Sequence, residues 1–210
     1  MAVSLIWVKS MDTGRCIDKK ELRRQGLKQR DSMPETERRQ KSLQIQKNLL
    51  TSGIFEQVEQ VLCYVHFRSE AETGRILEQT LAGGKELYCP RVCGKEMEFY
   101  RIYSKKDFVS GSYGILEPEA SRERRFCPDN RKKALMIMPG AVFDREGFRI
   151  GYGGGFYDRY LAGLAEKGDV QPVRVALLFS CQLVEHIPRE EHDLAADFLV
   201  TEEGIFRSKS

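Results

Sequence analysis

No stretch of this sequence is apolar for long enough to span a bilayer, and no strong excess of one charge marks a nucleic-acid-binding surface. The chain has 210 residues, of which 41% are hydrophobic and 31% charged, with a formal net charge of +3. This composition is typical of a globular protein with a full core. The apolar segment 2–8 is short and has no basic lead, so we expect no signal peptide and a cytoplasmic location.

The six cysteines lack the dense spacing of a small secreted disulfide scaffold. Cys89-Pro-Arg-Val-Cys93 has the form of half a zinc site, but no second Cys or His pair with ligand spacing completes it. We therefore expect reduced thiols and no zinc.

A strongly basic segment follows a lead of residues 1–17 that shows no periodicity and is expected to be irregular. From Lys19 to Lys47 there are ten Lys or Arg against four Asp or Glu. Ser32-Met-Pro-Glu35 divides the segment into two helical stretches, which predicts a basic helical hairpin that docks on a larger body. We expect residues 18–210 to form one domain.

Strands and helices alternate along the rest of the chain. We expect a helix near residues 71–82, and strands near residues 61–65, 86–90, 98–102, 134–138, 173–179 and 198–200. This alternation predicts an α/β layered fold with a mostly parallel sheet. Active sites in such sheets lie beyond the carboxyl ends of the strands.

A glycine-rich segment comes directly after the strand at 134–138. Gly151, Gly153, Gly154 and Gly155 allow positive φ angles and a close approach of the backbone to a ligand. Apolar residues at positions 157, 161 and 164 then have helical spacing. A loop that leads into a helix N-terminus is suited to binding phosphate.

The segment matches neither of the two common phosphate-binding motifs, the Walker A loop and the Gly-x-Gly-x-x-Gly dinucleotide fingerprint. It does have Arg149 before the glycines and Asp158 after them. An arginine suits phosphate oxygens, and a carboxylate beside phosphate suits bridging Mg²⁺. A plain tight turn, with a solvated Arg149 and with Asp158 at a favourable helix end, explains the same residues, so both interpretations stay open.

A longer pattern extends across this segment: Met138-Pro-Gly-x-x-Phe-Asp-x-x-Gly-x-Arg-x-Gly-x-Gly-x-Gly-Phe-Tyr-Asp158. It resembles the signature of the 5-formyltetrahydrofolate cyclo-ligase family, also called 5,10-methenyltetrahydrofolate synthetase. Three further features match in order, namely Lys19-x-x-Leu-Arg23, Glu70-Ala-Glu-Thr73 and Tyr113-Gly-Ile-Leu-Glu-Pro118. The resemblance covers roughly residues 19–202.

The resemblance implies a three-layer α/β/α fold related to the sugar-phosphate isomerase and CoA-transferase type. It also implies an enzyme that uses ATP as co-substrate and Mg²⁺ as cofactor. Such an enzyme converts 5-formyltetrahydrofolate to 5,10-methenyltetrahydrofolate and releases ADP and phosphate.

The resemblance also implies site residues. ATP would be bound by Lys19, Arg23, Arg149, Gly151, Gly153, Gly154, Gly155 and Tyr157. Mg²⁺ would be bound by Asp158 and Asp193. The folate would contact Val65, Glu70, Tyr113, Tyr152, Gly153, Gly154 and Phe156. Arg149, Glu70 and Asp158 would take part in catalysis.

Three positions depart from patterns common in the family. Tyr152 and Gly154 stand where animal members often carry Arg and Lys, and Phe156 replaces a frequent Tyr. These changes remove two side-chain cations and one hydroxyl from the predicted site.

The expected partners are small molecules, without nucleic acid or membrane, and the expected state is a monomer. One alternative is a protein of the same fold that binds nucleotide or folate without turnover. Another is a nucleic-acid-binding module built on the basic segment, which the nearly balanced total charge disfavours.

Overall fold

A seven-stranded sheet forms the centre of the computed structural model, which describes residues 18–111, 114–190 and 192–209. The helices are α1 Lys19–Asp31, α2 Glu35–Leu50, α3 Gly53–Glu56, α4 Gly74–Ala82 and α5 Phe156–Glu166. The strands are β1 Gln60–Cys63, β2 Glu86–Cys93, β3 Glu96–Ile102, β4 Phe108–Ser110, β5 Leu116–Pro118, β6 Ala134–Met138, β7 Val142–Asp144, β8 Arg149–Ile150, β9 Val173–Leu177, β10 Leu183–Val184, β11 Phe198–Thr201 and β12 Gly204–Arg207.

The strand order in the large sheet is β12-β11-β9-β6-β1-β2-β3. The five inner strands are parallel, and the two edge strands pair antiparallel to their neighbours. The α/β fold with a mostly parallel sheet is therefore confirmed, while the relationship to sugar-phosphate isomerases and CoA-transferases remains a prediction.

Helices cover both faces of this sheet, which makes three layers. In β6, Leu135 and Ile137 point to the face covered by α2, α3 and α4, while Met136 and Met138 point to the face covered by α5. Because side chains of a strand alternate between faces, a strand buried on both sides is apolar throughout. The uninterrupted apolar run Ala134–Met138 is the sequence pattern expected of such a central strand.

The basic segment forms two helices with the predicted break between them. Pro34 disfavours helical backbone at the residue before it, Met33. The two helices have different packing partners, since α1 contacts β7 and β8 whereas α2 contacts β11 and β12. The predicted hairpin arrangement is therefore not confirmed, although both of its helices are present.

A small second sheet has the order β10-β7-β8; β7 and β8 lie between β6 and the glycine-rich segment in sequence, and β10 follows β9. The fully buried carboxylate of Asp144 accepts hydrogen bonds from the backbone amides of Glu146, Phe148 and Ile187, at 3.0, 3.0 and 3.2 Å. These bonds fix the turn that leads into β8, so Arg149 starts from a rigid support. The sequence does not predict this sheet, because strands of two or three residues have no readable periodicity.

The loop after β1 is longer than expected, because β1 ends at Cys63 and α4 begins only at Gly74. Internal hydrogen bonds order this loop. The Tyr64 hydroxyl donates to the Ala71 carbonyl at 2.8 Å, and the Thr73 hydroxyl donates to the Tyr64 carbonyl at 2.9 Å. Across the described part of the chain, none of the helices has the length and apolar character needed to cross a membrane.

Candidate functional site

The predicted site residues gather where the loops after β1 and β6 meet α1 and the glycine loop, residues 151–155. This is the carboxyl edge of the parallel strands, where ligands bind in open α/β sheets. A larger cavity of about 350 Å³ lies at the opposite edge, beside Phe55 and Lys85. It contains none of the predicted site residues.

The glycine loop adopts backbone conformations that favour glycine. Gly153 has φ +100° and Gly155 has φ +60°. Gly155 is also the N-cap of α5, and no side chain caps that helix end. The amides of the first turn of α5 are therefore free of a side-chain acceptor, which suits an anion.

Gly154 lies close to a side chain of the first turn of α5. A Cβ atom at this position would lie 2.4 Å from the Phe156 ring. The Arg159 guanidinium lies over the same ring, 5.2 Å from its centroid. Phe156 therefore packs on the loop and under an arginine, which restricts the stacking on folate that the sequence suggests for it.

Helix α1 carries two cations on the face that approaches this loop, because Lys19 and Arg23 are four residues apart. Arg23 Nε donates to the Gly151 carbonyl at 2.7 Å. Lys19 Nζ lies 2.6 Å from Asp193 Oδ2 and 3.0 Å from Glu190 Oε1. The predicted ATP-binding cations and one predicted metal carboxylate thus meet at one place.

The Lys19–Asp193 pair is charged on both sides. Partial burial acts to raise the pKa of Asp193, but hydrogen bonds from Lys19 and from the Glu190 amide outweigh it, and the net shift is downward. Burial likewise acts to lower the pKa of Lys19, while its two carboxylate partners raise it overall. Asp193 is therefore an ionised carboxylate that a metal ion can use once Lys19 turns to another anion.

Arg149 and Asp158 form a second ion pair. Arg149 Nη2 lies 3.1 Å from Asp158 Oδ1, and the two side chains are 5% and 17% exposed. The guanidinium also lies 5.6 Å from the centroid of the Tyr157 ring. Arg149 Nε and the Tyr157 hydroxyl are buried without a hydrogen-bond partner among the described residues. Two donors without acceptors beside a phosphate-type loop are consistent with a site that receives an anionic ligand.

Glu70 lies in the loop after β1, where the Phe67 amide donates to its Oε2 at 2.8 Å. Burial raises the pKa of Glu70, and the opposing contributions of Tyr152, the Phe67 amide, Arg30 and His66 offset this only in part. The turn that presents Glu70 includes Arg68, whose φ of +54° is in the left-handed region. Such strain in a non-glycine residue is typical of functional loops.

Arg30 is a site residue that the sequence does not distinguish from the other cations of the basic segment. Its side chain is only 5% exposed and lines a narrow crevice with Glu70 and Tyr152. The fold places Arg30 at the site, because α1 ends beside the loop after β1. Gln182 also lies in this crevice, where its Nε2 donates to the Gly140 and Ala141 carbonyls at 3.0 Å each.

Other predicted residues have mixed positions. Val65 is half-buried and packs against the sheet core, so it combines a core contact with a place at the carboxyl edge. Tyr157 packs edge-on to Phe99 at 6.3 Å between ring centroids, which leaves its backbone amide and hydroxyl for ligand contact. Tyr113 lies outside the described residues. Within those residues, no three His, Cys, Asp or Glu side chains form a metal-binding group.

Comparisons with known proteins identify the family and the fold. Residues 15–202 match the model of the 5-formyltetrahydrofolate cyclo-ligase family. A mitochondrial 5-formyltetrahydrofolate cyclo-ligase of Arabidopsis thaliana is 34% identical over 188 residues, which cover 80% of this chain and 68% of that protein. The corresponding mouse protein is 28% identical over 184 residues, covering 85% and 91%. The NMR structure of Aquifex aeolicus 5,10-methenyltetrahydrofolate synthetase has a TM-score of 0.77 and 33% identity, covering 91% of this chain and 93% of that one.

Proposed function

The chain belongs to the 5-formyltetrahydrofolate cyclo-ligase family and is a ligase, and on that basis we propose that it converts 5-formyltetrahydrofolate to 5,10-methenyltetrahydrofolate with ATP and Mg²⁺. The observation that carries this proposal is that Arg23 and the uncapped N-terminus of α5 meet at the glycine loop, while Lys19, one helical turn before Arg23, pairs with Asp193. This arrangement supplies fixed positive charge and free backbone donors at one place.

We assign the glycine loop to the ATP phosphates. Lys19 exchanges its carboxylate partners for phosphate oxygens, and Arg23 stays against the Gly151 carbonyl while its remaining nitrogens face the ligand. Arg149 and Tyr157 contribute the buried donors that have no protein acceptor. Phosphoryl transfer depends mainly on such positioning and charge neutralisation.

The carboxylates on either side of the loop fit a magnesium ion. Mg²⁺ in nucleotide sites is usually held by one or two carboxylates together with phosphate oxygens and water. Asp158 and Asp193 would supply the carboxylates, and bound Mg²⁺ would neutralise phosphate charge. Each pairs with a cation in this structure, so metal binding requires Arg149 and Lys19 to turn towards the nucleotide.

We assign the folate to the region beside the loop after β1. Glu70 accepts hydrogen bonds from either the aminopyrimidine edge or the region of the reacting nitrogens. Val65, Tyr152 and Phe156 provide apolar contacts, and Gly153 and Gly154 let the loop approach closely. The role of Tyr113 in stacking remains a prediction.

The reaction overcomes the poor electrophilicity of a formamide. The formyl oxygen attacks the γ-phosphorus of ATP, and the bond to ADP breaks. N10 then attacks the activated formyl carbon and closes the ring. The carbon–oxygen bond breaks as phosphate leaves, and the N10 proton is lost. Arg149, with Asp158 beside it, faces the charge that develops on the transferred phosphoryl group.

Three of the ten cations of the basic segment, Lys19, Arg23 and Arg30, are engaged inside the protein. They are held by contacts within the protein rather than spread along an exposed surface, which favours small molecules over a nucleic-acid backbone as the ligands. A cytoplasmic location and a monomeric state remain predictions, and one relative is named as mitochondrial.

The test is the absorbance of the methenyl product with 5-formyltetrahydrofolate, ATP and Mg²⁺. We expect product only when all three are present, with one ADP for each methenyl group. Folded protein that binds both substrates but forms no product would support the non-catalytic alternative instead.

A further inference from the structure

Arg30 is a buried cation whose contacts are unusual for a structural residue. Its Nε donates to the Ser69 hydroxyl at 3.0 Å, and its Nη1 donates to the Tyr152 hydroxyl at 2.7 Å. Asp31, its nearest ion-pair partner, is 3.8 Å away and largely exposed. A buried charge held mainly by neutral hydroxyls costs stability, and a function is the usual reason that such a charge is kept.

The two hydroxyls belong to two different parts of the site. Ser69 precedes Glu70 in the loop after β1, and its hydroxyl also donates to the Asp31 carboxylate. Tyr152 lies in the glycine loop, and the Arg30 guanidinium is 5.7 Å from the centroid of its ring. One side chain of α1 therefore joins the loop that presents Glu70 to the loop assigned to the nucleotide.

The neighbourhood of Glu70 shows what this connection does. Glu70, Arg30, Tyr64 and Tyr152 line the same crevice, and His66 and Tyr157 also face the carboxylate. Without Arg30, Tyr152 loses its hydrogen-bond donor, and Glu70 faces only the partial charges of neutral groups and His66. The carboxylate would then be free to turn, and the half-exposed Tyr152 ring would be free to move into solvent.

We propose that Arg30 is a positioning residue for the folate, acting through the Tyr152 and Ser69 hydroxyls to hold both loops in the arrangement that binds the substrate. The proposal rests on the proposed function, and it adds a residue that the signature motifs do not contain. The side chain of Arg30 reaches the glycine loop and bonds there to Tyr152, a predicted folate contact. Its other bond is to Ser69 beside Glu70, so its effect falls mainly on folate binding.

A double-mutant cycle of Arg30→Met and Tyr152→Phe tests this connection. Arg30→Met is expected to raise the KM for 5-formyltetrahydrofolate by about tenfold to a hundredfold, the factor for losing a hydrogen bond to a charged group. The KM for ATP should change by less than about twofold, because the phosphate contacts remain. The effect of the double variant should be smaller than the product of the two single effects, since Arg30 and the Tyr152 hydroxyl are hydrogen-bonded to each other and act together on Glu70.

Arg30→Lys separates positioning from burial, because it keeps the charge and most of the volume but cannot reach both hydroxyls. It should raise the folate KM nearly as much as Arg30→Met while unfolding at nearly the parent temperature. The matched control is Arg24→Met on the same helix, since Arg24 is exposed and pairs only with Glu21. It should leave both KM values unchanged.

An unchanged folate KM in folded Arg30→Met, an equal rise in the ATP KM, or independent multiplicative effects in the double variant would each overturn the proposal. If Arg30→Met does not fold, the folate KM of Tyr152→Phe and of Arg30→Lys tests the proposal instead. An unchanged folate KM in both variants would contradict it. Failure of the proposed function is distinguishable, because the parent itself would then show no turnover. In that case, calorimetry would measure the affinity of the parent and of Arg30→Lys for 5-formyltetrahydrofolate. Equal affinity of the two proteins would reject the positioning role of Arg30.

Discussion

Asp158 is the residue in which the fold and the proposed chemistry overlap most. We expect Asp158→Asn to lower turnover by at least about a hundredfold, because it removes a metal carboxylate and the partner of Arg149. Asparagine is compatible with the first turn of a helix. The variant should still lose on the order of 1–3 kcal/mol of unfolding free energy, since Arg149 stays buried without its counter-charge.

Turnover measured across a magnesium titration checks the metal role, and thermal unfolding checks the structural one. Asp129→Asn is a matched control, because Asp129 pairs with Arg131 in the same way on an exposed loop. A parent-like rate for Asp158→Asn at limiting Mg²⁺ would remove Asp158 from the metal site.

Glu70 gives a prediction whose sign follows from its environment. Burial raises the pKa of Glu70 above its ordinary value of 4.5, so the folded protein favours the protonated form. The stabilising effect of that form is complete below pH 4.5 and is lost as pH rises through the folded pKa. Glu70→Gln should therefore gain stability relative to the parent as pH rises from 4 to 8, while its turnover falls.

Denaturant unfolding of both proteins at the two pH values measures this difference. A stability difference that is the same at pH 4 and pH 8 would show that burial does not disfavour the Glu70 carboxylate. An unchanged rate would show separately that its charge is not used by the substrate.

At the residue scale, Arg149 and Asp158 can be proposed from the sequence because they belong to a contiguous motif; the structure pairs them, and their roles stay predictions. Prediction from the sequence fails for Arg30 because nothing in its immediate neighbours marks it as buried, and the loop that it contacts is 39 residues away. Tyr113 lies outside the described part of the chain, so its role stays a prediction.

At the scale of elements, α1 packs very closely on the small sheet at Gly26. A Cβ atom at Gly26 would lie 2.4 Å from Val142 Cγ2 and 2.7 Å from the Ala141 carbonyl oxygen. The Ala141 backbone cannot easily move, because Gln182 binds the same carbonyl. The position of α1, and with it the positions of Lys19, Arg23 and Arg30, depends on this glycine.

Gly26→Ala is therefore expected to destabilise the protein by about 1–3 kcal/mol, as overpacking commonly does. It should also lower turnover by moving α1 away from the glycine loop. Gly163→Ala in α5 is the matched control, because no atom lies within 4 Å of its added methyl group. That variant should be stabilised by roughly 0.5–1 kcal/mol from helix propensity. Equal stability of the two variants in thermal unfolding would contradict the close packing of α1.

Elements with strong periodicity are predictable and those without it are not. The uniformly apolar β6 has its expected bounds, and α2 and α5 form where their spacing predicts helices. The short strands β7, β8 and β10 escape prediction, because tertiary contacts such as the Asp144 carboxylate define them. The hairpin arrangement stays unconfirmed for a related reason, since α1 packs on the small sheet and α2 on the large one.

At the scale of the whole molecule, Glu86 is the centre of a network of polar and charged side chains in the large sheet. Its carboxylate accepts from Gln60 Nε2 and Lys132 Nζ, each at 2.7 Å, and lies 2.9 Å from Arg101 Nη1. Burial acts to raise the pKa of Glu86, but these donors outweigh it and lower the pKa from 4.5 to about 2. The stabilisation is present above pH 4.5 and is lost as pH falls towards 2.

Glu86→Gln should therefore be less stable than the parent at pH 7, and this difference should shrink as pH falls from about 4.5 to about 2. Chemical denaturation across that range provides the measurement. The trend is opposite to that for Glu70→Gln, so the two variants control for each other. A stability difference between the two proteins that stays constant with pH would show that these partners do not lower the pKa of Glu86.

The central claim is that ATP and folate meet at the glycine loop and that the formyl oxygen is phosphorylated there. It is tested most directly with 5-formyltetrahydrofolate that carries ¹⁸O in the formyl group, by mass spectrometry of the released phosphate. The account predicts one ¹⁸O atom in each phosphate, with one ADP and one methenyl product formed. Unlabelled phosphate alongside methenyl product would contradict it, because the oxygen would then have left the folate without passing to phosphorus.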